Sequence, residues 1–265
     1  MSLAQIIANL PALVVVIPLL LSPVAAMTPV AGLAWLLAVL GSGAAFLCAL
    51  LLQGAVTGGE SFSYFLGNWP PPWGIEFVVD APSAFTVLVM SGLAFVTTLF
   101  ARTALLAEIA EADAGKAYAA WLLACGGLSG LVMTGDAFNL FVFLEISALS
   151  SVILIALGAG CDRRALIAGY NYLLIGAVGA TFYVIGVGFI YAVTGSLNMN
   201  DLAVRIPEVP QMTVVMVGFG FMMAGILVKA AIFPVHVWLP AAYAFAPSAV
   251  SSLLAAIATK AALYV

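Results

Sequence analysis

Long apolar runs separated by short polar segments are the feature that most constrains this chain. Eight of them are long enough to cross a bilayer, whose hydrocarbon core takes about 20 residues of helix. Lipid offers no partner to backbone N–H and C=O groups, so such runs must be helical. Only 7% of the residues are charged, against roughly 25% in soluble domains. The fold class predicted is an all-α membrane protein, a multi-span helical bundle with spans at Leu10–Ala26, Val30–Leu52, Ser83–Leu106, Ala117–Thr134, Ala137–Leu157, Ala165–Val193, Thr213–Phe233 and Ser248–Val265.

Two local patterns add detail to this bundle. Between the second and third spans, SFSYFLGNWPPPWGIEFVVDAPS has two short β-prone runs around a turn rich in Gly, Asn and Pro. It predicts a small hairpin outside the lipid. The sixth span is rich in glycine, which predicts close approach of a neighbouring helix, at Gly169, Gly176, Gly179, Gly186 and Gly188.

The loop charges predict how the chain lies in the membrane. Arg102 and Lys116 flank one loop and Arg163 and Arg164 lie in another loop on the same side, whereas the opposite side carries only Arg205. Loops rich in Lys and Arg stay in the cytoplasm, so the N-terminus and the hairpin are predicted to face outward. No Lys or Arg precedes the first apolar run, so that segment is predicted to be a retained span and not a cleaved signal peptide.

Three charged residues fall inside predicted spans: Glu145, Lys229 and Lys260. Each costs about 2.5–3.5 kcal/mol at a helix centre. A structural ion pair, or a lysine that reaches the membrane surface, is the alternative to a functional role. Burial disfavours the ionised form of each group and a nearby opposite charge restores it. Glu145 and Lys229, if they lie in mutual reach, would therefore act as a switch that releases and rebinds a proton.

The segment LVKAAIFPVHVW, residues 227–238, follows one of these lysines with a helix breaker. Pro234 lacks an N–H and its ring would clash with the carbonyl of Ala230, so the helix is predicted to break directly after Lys229. Carbonyls freed at membrane depth require a buried or hydrated cavity. His236 is the only histidine, and histidine is the side chain that most often serves as a proton shuttle. A plain packing role is the alternative for a lone histidine.

Cofactor chemistry finds no support in the sequence. Cys48, Cys125 and Cys161 lie far apart, without the spacing used by zinc or iron–sulfur sites. The chain also has no glycine-rich dinucleotide loop. We predict no cofactor and no metal site. The formal charge of −4 and the short polar segments argue against nucleic acid as a partner.

Two segments, TGDAFNLFVFLEIS and KAAIFPVHVWLPAAYAFAPSAVSSLLAAIATK, resemble the antiporter-like subunits shared by respiratory complex I, membrane-bound hydrogenases and Mrp-type cation/proton antiporters. The resemblance implies that Glu145 and Lys229 form a central ion pair and that Lys260 continues the proton path. His236 matches a histidine common in the family's FPxHxWLP segment, and we predict that it belongs to the proton relay. The hairpin, and Ala-Ala-Tyr after WLP, resemble the D-type subunit of Mrp antiporters more than the complex I subunits.

The resemblance also implies a division of the chain. Family members contain two inverted repeats. Residues 1–116 would be N-terminal helices with the external hairpin, and residues 117–265 would be the first proton-translocating repeat. The apolar ending KAALYV suggests a C-terminal truncation, in which case the second repeat would come from another polypeptide or be absent.

The function implied is a transporter subunit rather than an enzyme: a D-like, proton-translocating subunit of a Na⁺ or K⁺/H⁺ antiporter in the plasma (inner) membrane. Its partners would be the lipid bilayer, the other subunits of the complex, protons, and Na⁺ or K⁺. One alternative is a proton-pumping subunit of a redox complex of the NADH:quinone oxidoreductase or membrane-bound hydrogenase type, whose catalytic centres lie in other subunits. A second alternative is a truncated structural remnant.

Overall fold

The computed structural model describes residues 8–57 and 61–265 and confirms an all-α bundle with one small hairpin. The helices in these residues are α1 (Leu10–Ala26), α2 (Ala31–Val56), α3 (Ala81–Glu108), α4 (Ala114–Met133), α5 (Ala137–Ala156), α6 (Arg164–Thr194), α7 (Met199–Arg205), α8 (Met212–Lys229), α9 (Trp238–Phe245) and α10 (Ser248–Tyr264). The strands are β1 (Phe62–Phe65) and β2 (Glu76–Val79).

Each predicted span coincides with one of these helices. Six of the described helices are long and apolar enough to cross a membrane, and α1 and α10 are shorter apolar helices of 17 residues each. The largest differences are at the ends of two spans: the second runs on to Val56 instead of Leu52, and the seventh ends at Lys229 instead of Phe233. The short α7 was not predicted, because its sequence MNDLAVR has no apolar run that would mark it.

Helix α4 forms the centre of the bundle, with 89% of its most apolar window buried. Its many Ala and Gly residues let other helices approach on several sides. Two hydrogen bonds connect it to its neighbours. The Trp121 indole N–H donates to the Thr98 hydroxyl on α3 at 2.9 Å, and the Ser22 hydroxyl on α1 donates to the Ala119 carbonyl at 3.0 Å. These bonds join α4 to the N-terminal helices.

Helices α6 and α8 pack backbone against backbone, as the glycines of the sixth span predicted. A Cβ atom placed on Gly225 of α8 would lie 2.4 Å from the carbonyl oxygen of Gly179 on α6. One placed on Gly186 would lie 2.4 Å from the carbonyl oxygen of Gly218. Only glycine fits at these contacts. They fix the depth at which the end of α8 lies beside α6.

The predicted hairpin is present as an antiparallel pair with Phe62 opposite Val79. Strand β2 also binds the ends of the helical bundle. The Gly135 N–H, just after α4, donates to the Glu76 carbonyl at 2.8 Å. The buried Glu76 carboxylate accepts a 2.6 Å hydrogen bond from the amide of Asn198, which begins α7. The hairpin therefore ties the end of α4 to the start of α7 at one end of the bundle.

Candidate functional site

Helix α8 ends at Lys229 in a compact C-terminal turn. The Ala231 N–H donates to the Val228 carbonyl at 3.2 Å and the Ile232 N–H donates to the Leu227 carbonyl at 3.1 Å. Ala231 has φ = +54°, the left-handed conformation that glycine usually supplies in this Schellman motif. The predicted end of the helix directly after Lys229 is therefore confirmed. The turn itself reverses the backbone, and Pro234 lies beyond it in the loop.

The half-helix α9 starts with a residue that covers this break. The Trp238 indole N–H donates to the Val228 carbonyl at 3.0 Å, so a carbonyl at the end of α8 receives a protein donor. The buried Trp238 ring also packs edge to face on Tyr172 of α6, with ring centroids 4.7 Å apart. The half-helix is thus anchored to both α8 and α6.

Glu145 of α5 and Lys229 of α8 lie next to each other. Lys229 Nζ is 3.8 Å from Glu145 Oε1, and the two side chains are 8% and 29% exposed. That separation makes an ion pair but is too long for a direct hydrogen bond. Neither atom has a hydrogen-bond partner among the residues that the structure describes. The two groups therefore interact by charge while keeping their hydrogen-bonding capacity for a third group.

A small cavity beside Lys229 offers a place for that third group. Its volume of about 20 Å³ is enough for one water molecule. The hydroxyl-bearing residues among those that line it are Ser147, Ser151 and Tyr172. The Ser147 hydroxyl donates to the Phe143 carbonyl at 2.8 Å and the Ser151 hydroxyl to the Ser147 carbonyl at 2.6 Å. A serine hydroxyl that donates its hydrogen in this way can still accept a hydrogen bond from a water.

Helix α6 touches the lysine head group at a glycine. A Cβ atom placed on Gly176 of α6 would lie 3.4 Å from Lys229 Nζ, an ordinary van der Waals distance, so the ammonium group rests against this backbone. Helix α6 therefore forms part of the surroundings of the ion pair.

The structure does not bring Lys260 or His236 to the pair. Lys260 is exposed on α10, and its ammonium group donates to the Ala255 carbonyl of its own helix. His236 is half-buried in the loop after α8, with its ring centroid 5.8 Å from that of Phe233. Its Nδ1 is buried and has no hydrogen-bond partner within the described part of the chain.

Several residues of the site were not predicted from the sequence. Ser147 and Ser151 are four residues apart on α5, so they share a helix face just after Glu145, and the run LEISALSS contained that signal. Tyr172 had no such signal, because it is one aromatic residue among many in an apolar span. Trp238 belonged to the quoted motif, but its partner Val228 could be found only in the fold.

The helix that carries Glu145 is fixed at its start by a buried acid. The Asp136 carboxylate accepts a 2.6 Å hydrogen bond from the Asn139 N–H and caps α5. Burial raises the pKa of this carboxyl group, against the lowering effect of its backbone hydrogen bonds from Asn139 and Phe138. The cap holds the first turn of α5 at the end of the bundle where the hairpin lies.

Comparisons with known proteins agree with this architecture. Residues 134–265 match the family described as NADH:quinone oxidoreductase/Mrp antiporter, TM. The chain is 42% identical to the NADH-quinone oxidoreductase subunit N of Desulforudis audaxviator (strain MP104C), over 97% of this chain and 51% of that protein. It is 34% identical to the D-type subunit of the Na(+)/H(+) antiporter of Alkalihalophilus pseudofirmus (strain ATCC BAA-2126 / JCM 17055 / OF4), over 75% of this chain and 39% of that protein.

A solved structure matches nearly the whole chain. A chain of the membrane-bound sulfane sulfur reductase, an archaeal respiratory membrane complex, superposes with a TM-score of 0.87 at 31% identity, covering 98% of this chain and 52% of that one. This chain spans about half the length, or less, of the curated relatives that it matches.

The relatives include both kinds of protein that the sequence motifs resemble, a subunit of an oxidoreductase and a subunit of a cation/proton antiporter. The preference for the D-type subunit is not confirmed, because the identity to the oxidoreductase relative, 42%, exceeds the identity to the antiporter relative, 34%. The chain belongs to the NADH:quinone oxidoreductase/Mrp antiporter transmembrane family.

Proposed function

We propose that this chain is a proton-translocating, antiporter-like subunit of a multisubunit membrane complex, and that Glu145 and Lys229 are its switching pair. One observation carries the proposal. A lysine that is only 8% exposed lies 3.8 Å from a carboxylate at membrane depth, where charges are costly and usually serve ion transfer. Family membership supports the same role.

The chemistry follows from burial and charge. The ammonium form of Lys229 is stabilised by the nearby carboxylate, and burial opposes it. When Glu145 withdraws, or when another positive charge approaches, the neutral amine becomes the favoured form and the proton leaves. The water-sized cavity beside Lys229, with the hydroxyl oxygens of Ser147 and Ser151, provides a route for its first transfer.

We assign the onward steps to Lys260 and His236, with His236 as a shuttle beside the helix break and Lys260 as a carrier on α10. Neither contacts the ion pair among the described residues, so water or a rearrangement has to bridge the gaps. On this proposal residues 117–265 form a relay repeat, and residues 1–116 form its N-terminal support with the hairpin outside.

Two partly uncovered charges support the presence of partner polypeptides. The Glu145 side chain is 29% exposed and Lys260 is exposed. Either charge would be costly against hydrocarbon. We propose that a neighbouring subunit covers Glu145 and that polypeptide corresponding to the second family repeat covers Lys260.

Two kinds of complex are candidates. The hairpin and the Ala-Ala-Tyr motif favour a D-like component of a Na⁺ or K⁺/H⁺ antiporter in the plasma membrane. The 42% identity to an NADH-quinone oxidoreductase component over 97% of this chain favours a redox-driven proton pump. The genes beside this one distinguish them, since small Mrp-type subunits would indicate the antiporter and cysteine-rich iron–sulfur subunits the redox complex.

The test is Glu145→Gln in the intact complex, with proton translocation measured in membrane vesicles. The amide keeps the shape of the side chain and removes its charge, so we expect translocation to fall at least about tenfold. The matched control is Glu111→Gln, because Glu111 is exposed in the loop before α4. An unchanged rate in a normally assembled Glu145→Gln complex would reject the assignment and favour the structural remnant.

A further inference from the structure

The N-terminus of α10 is capped by a residue from a distant helix. The Glu108 carboxylate, at the end of α3, accepts a 2.8 Å hydrogen bond from the Ser248 backbone N–H and another from the Ser248 hydroxyl. Helix α10 has no side-chain cap of its own, because Pro247 occupies the cap position. A carboxylate at a helix N-terminus satisfies free N–H groups and complements the helix dipole. We call this interaction the Glu108–Ser248 contact.

The α5–α6 loop supports the same place. The Cys161 thiol donates to the Glu108 backbone carbonyl at 3.3 Å. A Cβ atom placed on Gly158 would lie 2.2 Å from the Phe245 carbonyl oxygen, so this loop presses directly on the end of α9. The Arg164 guanidinium lies 4.5 Å above the Phe245 ring. The turn from α9 to α10 is thus held by two separate parts of the chain.

Half-helix α9 transmits the position of this turn to the ion-pair site. It is a short, rigid helix of eight residues, so a movement of one end moves the other end as well. The Ser251 hydroxyl, one turn into α10, donates to the Tyr243 carbonyl at 2.7 Å and joins α9 to α10. At the other end, Trp238 bonds the Val228 carbonyl and lines the cavity beside Lys229. A shift of the turn would therefore move Trp238.

We propose that Glu108 is a positioning residue for proton transfer, because the Glu108–Ser248 contact holds α9, and with it Trp238, against the cavity beside Lys229. This inference rests on the proposed function of the ion pair. It assigns a role to the N-terminal helices, since α3 then sets the geometry of a site that it does not touch. Glu108 itself exchanges no proton with substrate.

The experiment compares Glu108→Ala, Glu108→Gln and Ser248→Ala in the intact complex. Proton translocation per assembled complex should fall about threefold to tenfold in Glu108→Ala. Glu108→Gln keeps an acceptor for the Ser248 N–H and should recover part of the rate. The double variant Glu108→Ala with Ser248→Ala should be no slower than Glu108→Ala alone, because both substitutions act on the same Glu108–Ser248 contact. Glu111→Ala is the control and should leave the rate unchanged.

Amide hydrogen exchange in the same complexes separates positioning from general destabilisation. Exchange over residues 238–251 should be faster in Glu108→Ala, while exchange over residues 138–156 of α5 stays at the parent rate. A parent rate of translocation in assembled Glu108→Ala would overturn the proposal, as would exchange that accelerates equally in α5. If Glu108→Ala fails to assemble, Ser248→Ala is judged by the same two readouts. Failure of the ion-pair function itself would appear separately, as activity retained in Glu145→Gln.

Discussion

Ala231 adopts a backbone conformation that suits glycine, at φ = +54° directly after α8. A side chain in this region costs about 1–2 kcal/mol. We expect Ala231→Gly to raise the free energy of unfolding by roughly 1 kcal/mol, measured by thermal unfolding of the purified protein in detergent. Ala230→Gly is the matched control. Ala230 is right-handed with φ = −73°, so glycine should lower stability there; a gain at both positions would contradict the argument.

Lys229 is required on our proposal to lose its proton, and arginine cannot do so in proteins. Lys229→Arg keeps the positive charge beside Glu145, so the complex should still assemble. Proton translocation should nevertheless fall at least about tenfold. The measurement is the initial rate of vesicle acidification, normalised to assembled complex. A rate close to the parent would mean that the charge of Lys229 matters and its titration does not.

The position of Lys229 in the ion pair depends on how closely α8 packs on α6. Gly225 has no room for a methyl group, since a Cβ atom would lie 2.4 Å from the Gly179 carbonyl oxygen. Gly225→Ala should push the helices apart and lower the free energy of unfolding by about 1–3 kcal/mol. It should also slow translocation, because Lys229 is one turn further along α8.

Gly220 supplies the control on the same helix. A Cβ atom placed there meets nothing within 4 Å, so Gly220→Ala should be neutral or stabilise by up to about 1 kcal/mol through helix propensity. Thermal unfolding in detergent and vesicle assays compare the two variants. Equal losses in both would show that glycine flexibility, and not close helix contact, is what α8 requires.

The membrane-spanning helices were predictable from the sequence, because the surrounding lipid determines which segments must be helical. Lipid forces apolar runs into helices, so the spans were found with small errors at their ends. The turn residues of LGNWPPPWG indicated the hairpin, and Pro234 indicated the helix break. The turn that ends α8 at Ala231 carried no signal, because alanine rarely adopts a left-handed conformation.

Contacts between elements were the part that the sequence could not provide. Glu145 and Lys229 lie on different helices, and their 3.8 Å separation depends on how α5, α6 and α8 pack. Lys260 was predicted inside a span, but nothing in the apolar pattern of α10 tells which side of that helix faces the bundle. Glu108 lies outside the predicted spans, and its bond to Ser248 joins residues 140 positions apart.

At the scale of the whole molecule, the orientation in the membrane follows from charge. Arg102, Lys116, Arg163 and Arg164 predict a cytoplasmic location for the loops after α3 and α5, and an external location for the hairpin. The exposed, free Cys161 lies in the second of these loops. Asn68, at the hairpin turn, is also exposed. The two positions therefore report on opposite sides.

A membrane-impermeant maleimide tests this orientation in intact cells. In Asn68→Cys with Cys161→Ser, we expect labelling without permeabilisation, because the hairpin faces outward. In the parent chain, Cys161 should react only after the cells are opened. Cys125 is buried and Cys48 is partly buried on a membrane helix, so the single variant Cys161→Ser measures the background. Labelling of Cys161 in intact cells, with protection of Asn68→Cys, would reverse the orientation. The turn between α9 and α10, which Glu108 contacts through Ser248, would then lie in the external compartment.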